Sequence, residues 1–160
     1  MASAGSQQMR AVLQDFVDAR ITAPELFARA GKLLPAGADA SEEILELLAE
    51  ADLRLRLPAG RQAFVRRLQQ FASGETSYAE LDLWCFSLGQ TEALADDAAP
   101  VTPELSLLRA VVDWIEEWED EAVRPAPATL HELAQILARE PNPGTCLARL
   151  EEALARSGRD

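Results

Sequence analysis

The sequence predicts an all-α protein, a helical bundle of about eight helices. Hydrophobic residues make up 48% of the 160 residues, which is enough to form a core. Ala and Leu dominate this apolar set and β-branched residues are few, which favours helix over strand. Apolar residues also recur at helical spacing between short Pro- and Gly-containing breaks. We expect residues 1–160 to form a single compact domain.

Four helices are predicted in the first half of the chain. Their starts carry hydroxyl or Pro residues, which suit the first turn of a helix, and most of their ends carry Pro or Gly. The predicted helices run from Gln7 to Ala19, from the N-cap Thr22 to Pro35, from Ser41 to about Asp52, and from Pro58 to Gly74.

The second half of the chain contains four more predicted helices and one loop. The loop, from Thr91 to Val101, is acidic, rich in Ala and bounded by Pro100. The predicted helices run from the cap Ser77 to about Gly89, from Thr102 to about Glu121, from the cap Thr129 through the following apolar stripe, and from the Pro141–Gly144 break to about Arg156.

An internal repeat relates the two halves. Residues Phe16–Leu26 align without gaps on Phe71–Leu81, and in both a helix ends on Phe, a turn follows, and a hydroxyl residue precedes Glu-Leu by three positions. The alternative is two ordinary helix-turn-helix segments that share capping chemistry by chance. The repeat predicts a three-helix unit used twice and then a C-terminal hairpin, over residues 7–57, 61–122 and 127–157.

Residues suited to catalysis are scarce in this sequence. His131 is the only histidine, and no Gly-rich phosphate loop or nucleophile elbow is present. Cys85 and Cys146 lie far apart in apolar or helical contexts, which indicates buried free thiols rather than a disulfide or a zinc site. We therefore expect no enzymatic activity, no catalytic residue, no metal and no cofactor.

The net charge of −12 restricts the class of partner. An excess of carboxylates repels phosphate groups, so direct binding to nucleic acid or to anionic lipid is not expected. The N-terminal residues show neither a charged region nor an apolar run, so a cytoplasmic location is expected. Whether the chain associates with itself stays open.

Charge is segregated along the chain. Ten acidic residues and one base, Arg109, lie between Glu92 and Glu121, whereas five arginines and no acid lie between Arg54 and Arg67. One interpretation is an intramolecular complement, in which the basic fourth helix lies near the acidic sixth helix. The other is that the sixth helix offers a negative surface to a cationic partner.

A partner-binding surface is predicted on this sixth helix. On a helical wheel its acidic residues lie opposite the apolar arc, and two tryptophans lie close to the edge between them. An aromatic anchor with an acidic rim is typical of a binding hot spot, although core packing is the commoner role of such tryptophans. The candidate residues are Asp113, Trp114, Glu116, Glu117, Trp118, Asp120 and Glu121.

The repeated pattern resembles a known family. The motif Phe-x-x-x-x-Ile/Thr-Thr/Ser-x-x-Glu-Leu, followed by a helix ending near Asp52 or Asp113, is similar to the small helical immunity proteins of the colicin D-like class. The resemblance covers about residues 9–53 and 64–120, and the sequence departs from it at Ala19, where a turn glycine is expected. It implies a protein that neutralises a toxin, typically a basic nuclease, by covering its active site.

Three functional hypotheses follow. The first is an immunity or antitoxin-like inhibitor whose acidic helix binds a basic, toxin-like protein. The second is a helical adaptor or assembly subunit that binds through an apolar groove between the two repeats and is nearly insensitive to salt. The third, an α-helical enzyme or small-ligand regulator, needs a pocket that the sequence does not reveal.

Overall fold

The computed structural model describes residues 4–34, 61–89 and 102–157. These residues form seven α-helices and one short 3-10 helix and contain no strand, which confirms the all-α fold class. None of the described helices has both the length and the apolar character needed to cross a bilayer. The helices are α1 (Ala4–Val17), α2 (Ala23–Gly31), α3 (Gln62–Ala72), α4 (Tyr78–Gly89), α5 (Pro103–Glu117), the 3-10 helix (Glu121–Val123), α6 (Pro127–Arg139) and α7 (Pro143–Ser157).

The predicted hydroxyl caps account for three helix starts. Thr22 accepts a hydrogen bond from the backbone N–H of Glu25, whose carboxylate accepts from the N–H of Thr22, and this completes a capping box before α2. Ser77 accepts in the same way from the N–H of Glu80 at the start of α4. Thr102 caps α5. These three predictions are confirmed.

Some predicted helix boundaries are wrong, and α2 ends at Gly31 rather than at Pro35. Helix α6 begins at Pro127 with Ala126 at the N-cap position, so Thr129 lies inside the first turn and is not the cap. Pro127 favours this earlier start because its fixed φ suits the first helical position and its missing N–H needs no partner there. Helix α5 ends at Glu117, not near Glu121, because Asp120 accepts from the N–H of Ala122 and opens the 3-10 helix.

All seven helices share one hydrophobic core. The buried cluster takes side chains from every helix, and Leu13, Phe64, Trp84 and Ile115 are fully buried within it. The most extensive contact joins α3 to α6, whereas α5 packs on α4 and α7. The hairpin of α1 and α2 packs on α4. The predicted third helix, from Ser41, and the predicted loop from Thr91 to Val101 lie outside the described residues.

The two turns of the aligned segments have the same backbone hydrogen bonds. In each turn three successive N–H groups donate to the last carbonyls of the preceding helix, at positions 55 residues apart in the two copies. Ala19 has φ 59° and the aligned Gly74 has φ 80°, so both residues adopt the left-handed conformation. The structure therefore matches the two helix-turn-helix segments, while the repeat of a whole three-helix unit stays a prediction.

Candidate partner-binding surface

The five predicted carboxylates are all exposed. Asp113, Glu116 and Glu117 lie on the outer face of α5, opposite the buried Leu, Val and Ile side chains of the same helix. Asp120 and Glu121 follow the end of α5, so they extend the acidic surface along the turn and the 3-10 helix rather than along a helical face.

The two tryptophans of the predicted surface differ in accessibility. Trp118 is only 3% exposed and belongs to the hydrophobic core, so the prediction of Trp118 as a surface anchor is wrong. Its burial follows from helical spacing, because Trp118 comes three residues after the buried Ile115 and seven after the buried Val111. Trp114 is half-buried and packs against the same core with part of its ring accessible.

A sixth carboxylate, Asp82, joins this surface from α4. The hydroxyl of Tyr78 donates to the carbonyls of Ile115 and Glu116 at 2.8 and 3.2 Å, which fixes the start of α4 against the end of α5. Asp82 follows one turn later. Partial burial raises the pKa of Glu116, and the nearby charges of Asp113 and Asp82 raise it further. Carboxylates from two helices therefore share one patch.

Phe86 borders the carboxylate patch and is exposed. It is 41% exposed and lies one helical turn after Asp82 on α4, since residues four apart share a helix face. The sequence does not indicate that Asp82 and Phe86 belong to this surface, because the register between α4 and α5 cannot be deduced from either helix alone. The acidic surface is hereafter the set Asp82, Asp113, Glu116, Glu117, Asp120 and Glu121.

The described arginines between Arg61 and Arg67 form no ion pair with the acidic surface. Six ion pairs join described residues, and none of them includes a carboxylate of the acidic surface. Arg61 pairs with Glu104 at the start of α5, with N–O distances of 2.7 and 3.0 Å. Among the described residues, ion pairing between the basic segment and α5 is thus limited to the start of α5. Arg54 and Arg56 lie outside them.

Arg61 and Arg67 instead hold the ends of other helices. Arg61 donates to the carbonyls of Leu137, Glu140 and Pro141 at the end of α6. Arg67 is 1% exposed and donates to the carbonyls of Phe16 and Ile21 at 2.8 and 2.7 Å. Helix ends leave carbonyls without intrahelical partners, so these guanidinium groups satisfy them.

Other reactive groups show no arrangement suited to catalysis in the parts of the chain that the structure describes. Cys85 and Cys146 are buried and unpaired, as predicted, and burial raises the pKa of both thiols, which disfavours a nucleophilic thiolate. His131 is exposed on α6. No cluster of His, Cys, Asp and Glu among the described residues could hold a metal ion. A cleft of about 410 Å³ lies between α6 and α7 and is lined mainly by charged side chains.

The fold and this surface define an all-α protein with an acidic patch bordered by aromatic side chains. No protein-family model, no curated protein and no solved structure matches the chain. The similarity to immunity proteins therefore rests on the sequence motif alone.

Proposed function

We propose that the chain is a non-enzymatic inhibitor of the immunity or antitoxin type, which binds a basic toxin through the acidic surface. The observation that supports this is the carboxylate cluster of Glu116, Asp113 and Asp82: partial burial raises the pKa of Glu116, and the two neighbouring charges raise it further. Like charges held together destabilise the isolated protein. A cationic partner would remove this repulsion, so the arrangement favours the bound state.

The proposed mechanism is occlusion of the toxin active site. If the toxin is a nuclease, the carboxylates take the positions of nucleic-acid phosphates and contact the same Arg and Lys side chains. The charge of −12 steers a basic protein toward the surface over distances of about a Debye length, roughly 8–10 Å at physiological salt. The association rate is therefore expected to fall steeply as salt rises.

The adaptor hypothesis has less support among the described residues. It requires an apolar groove between the two repeats, but the boundary between the α1–α2 hairpin and α4 is filled by the buried side chains of Arg67, Trp84 and Phe16. Salt dependence separates the two hypotheses, because binding in an apolar groove changes little with ionic strength.

Charge reversal tests the proposed inhibitor. The double variant Glu117→Lys/Asp120→Lys changes two exposed carboxylates of the acidic surface, and Glu151→Lys/Glu152→Lys makes the same change in charge on exposed positions of α7. Tagged wild-type protein and both variants are used to capture partners from native lysate at low and high salt, with identification by mass spectrometry. Captured nucleases are then assayed for inhibition.

The expected result is a basic protein that the wild type and the α7 variant retain at low salt and lose at high salt. The acidic-surface variant should capture little of it and should no longer inhibit it, with an unchanged circular dichroism spectrum. Equal capture by both variants would place the binding site elsewhere, and a partner retained at high salt would favour the adaptor.

A further inference from the structure

The outer face of α4 is the least polar exposed helix face in the acidic region. Helix α4 carries apolar side chains around most of its circumference, and only Glu80, Asp82 and Ser87 interrupt them. Helices of this composition are normally buried on all sides. Leu81, Trp84 and Leu88 are buried on the inner side, but the outer side leaves Phe86 exposed beside the half-buried Leu83.

The position of Phe86 relative to α5 follows from the contacts of the preceding turns. Tyr78 contacts the carbonyls of Ile115 and Glu116, and Asp82 lies close enough to Glu116 to raise its pKa. Phe86 is one further turn along α4, about 6 Å from Asp82. An apolar ring thus lies one helical turn from Asp82, which itself lies close to Glu116 on the neighbouring helix. The Tyr78 hydrogen bonds fix the two helices to each other.

We propose that Phe86 is the aromatic anchor of the acidic surface and that its occupant is a basic helix of the partner protein. This inference rests on the proposed function and names the chemistry of the partner segment. Phe86 contacts an apolar side chain of that helix, and Asp82 and Glu116 pair with Arg or Lys side chains one turn away. The anchor role moves from Trp114 and Trp118, which are packed in or against the core, to Phe86, the exposed Phe, Tyr or Trp side chain among the described residues.

Charge selects this occupant over a second copy of the chain. A second copy carries the same charge of −12, so its approach to the carboxylates is opposed by repulsion. A basic helix brings the opposite charge and offers apolar and cationic side chains at positions i and i+4, which is the spacing of Asp82 and Phe86. Aromatic residues surrounded by polar rims are the usual hot spots of such interfaces.

A randomised peptide library tests the anchor without knowledge of the natural partner. Peptides of sixteen residues on a helix-forming frame are selected for binding to the wild-type protein, and the enriched peptides are measured by fluorescence anisotropy against variants. Phe86→Ser removes the proposed anchor, and Val123→Ser is the matched control, because Val123 is the other exposed large hydrophobic residue among those described. Glu117→Lys/Asp120→Lys tests the charge.

The expected peptides carry Arg or Lys one turn from an apolar residue. Phe86→Ser should weaken their binding about thirtyfold, the size expected for an aromatic hot spot, and Val123→Ser should change it less than twofold. Basic peptides that bind Phe86→Ser as well as wild type would overturn the anchor but keep the proposed function. Enriched peptides without basic residues, or peptides insensitive to the charge reversal, would overturn both.

The oligomeric state decides between a partner and a second copy. Sedimentation of the wild type and Phe86→Ser should give the same mass at concentrations from micromolar to near millimolar. A dimer that Phe86→Ser dissociates would assign the surface to self-association and overturn the proposal.

Discussion

Replacement of Arg67 by Met removes a buried guanidinium group while keeping most of the volume of the side chain. Arg67 lies within α3 and donates to the carbonyls of Phe16 and Ile21, which belong to the end of α1 and the following turn. Its guanidinium also lies 4.9 Å from the ring centre of Phe16 and 5.7 Å from that of Trp84. Met cannot donate a hydrogen bond, so the variant leaves both carbonyls buried without this partner.

The magnitude follows from three contributions. The Ile21 carbonyl loses its described partner at a cost of about 2 kcal/mol, whereas the Phe16 carbonyl still accepts from the N–H of Ala19 and loses about 1 kcal/mol. The two lost cation–π contacts cost about 2 kcal/mol more. In the opposite direction, burial lowers the pKa of Arg67 from 12.5 to about 10, so the charged side chain itself carries a desolvation cost. That cost is about 3 kcal/mol, at about 1.4 kcal/mol per pH unit, and Met relieves it. The expected net loss is about 2 kcal/mol.

Urea unfolding followed by far-ultraviolet circular dichroism measures this loss. Circular dichroism is preferable to tryptophan fluorescence, because Trp84 lies next to the substituted side chain and its emission would change for local reasons. The matched control is Arg66→Met at the neighbouring, exposed position, where the only described bond is a 3.5 Å contact to the carbonyl of Asp18. The control should change stability by less than about 0.5 kcal/mol. Equal effects of the two substitutions would show that the buried bonds of Arg67 do not stabilise the fold.

Three further predictions concern a turn, a helix end and the acidic surface. Gly74→Ala should destabilise the protein by about 1 kcal/mol in urea unfolding, because the backbone at Gly74 has φ 80°. The control Gly31→Ala in α2 should be neutral or stabilising, and the same sign for both substitutions would contradict backbone strain at Gly74. Tyr78→Phe should cost about 1 kcal/mol through loss of the bonds to the Ile115 and Glu116 carbonyls, and an unchanged midpoint would contradict their contribution. Glu116→Gln should raise the thermal midpoint at pH 7 by the equivalent of about 0.5 kcal/mol. The folded-state pKa of Glu116 is raised, so its charge destabilises the fold above that pKa, and the gain should vanish below pH 4. A gain that persists at pH 3.5 would have another cause.

Local sequence signals predicted most of the described fold. The caps Thr22, Ser77 and Thr102 and the Pro and Gly breaks located the helices, because capping and backbone restriction act within a few residues. The wrong start of α6 also arises from neighbouring residues. Thr129 has the chemistry of a cap, but Pro127 two residues earlier already provides a suitable helix start.

The acidic surface was predictable only in part. The carboxylates of α5 and their exposure follow from the helical wheel, since one face is apolar and the other is charged. Asp82 and Phe86 belong to a helix that is apolar nearly all round, so no wheel distinguishes its exposed side. Trp118 lies on the apolar stripe with Val111 and Ile115, so the wheel is consistent with its burial and the composition of the acidic rim led to its assignment as an anchor.

The contacts of Arg61 and Arg67 could not be predicted from the sequence either, because they join distant parts of the chain. A run of basic residues in a sequence indicates a charged surface, yet Arg67 lies in the core and Arg61 reaches three carbonyls at the end of α6. Their partners lie about 46 to 80 residues away in the chain. No spacing rule within one helix reports such contacts.

The left-handed backbone conformation of Ala19 has a consequence for the order of folding. Gly74 adopts its turn conformation without penalty, so the α3–α4 turn can form from local interactions alone. Ala19 adopts the same conformation at a cost of about 1–2 kcal/mol. The surrounding carbonyls of Phe16 and Val17 are bound by Arg67 and Trp84, which belong to the later pair of helices. The N-terminal hairpin should therefore form after α3 and α4 have paired, and substitutions in its turn should accelerate unfolding far more than they slow folding.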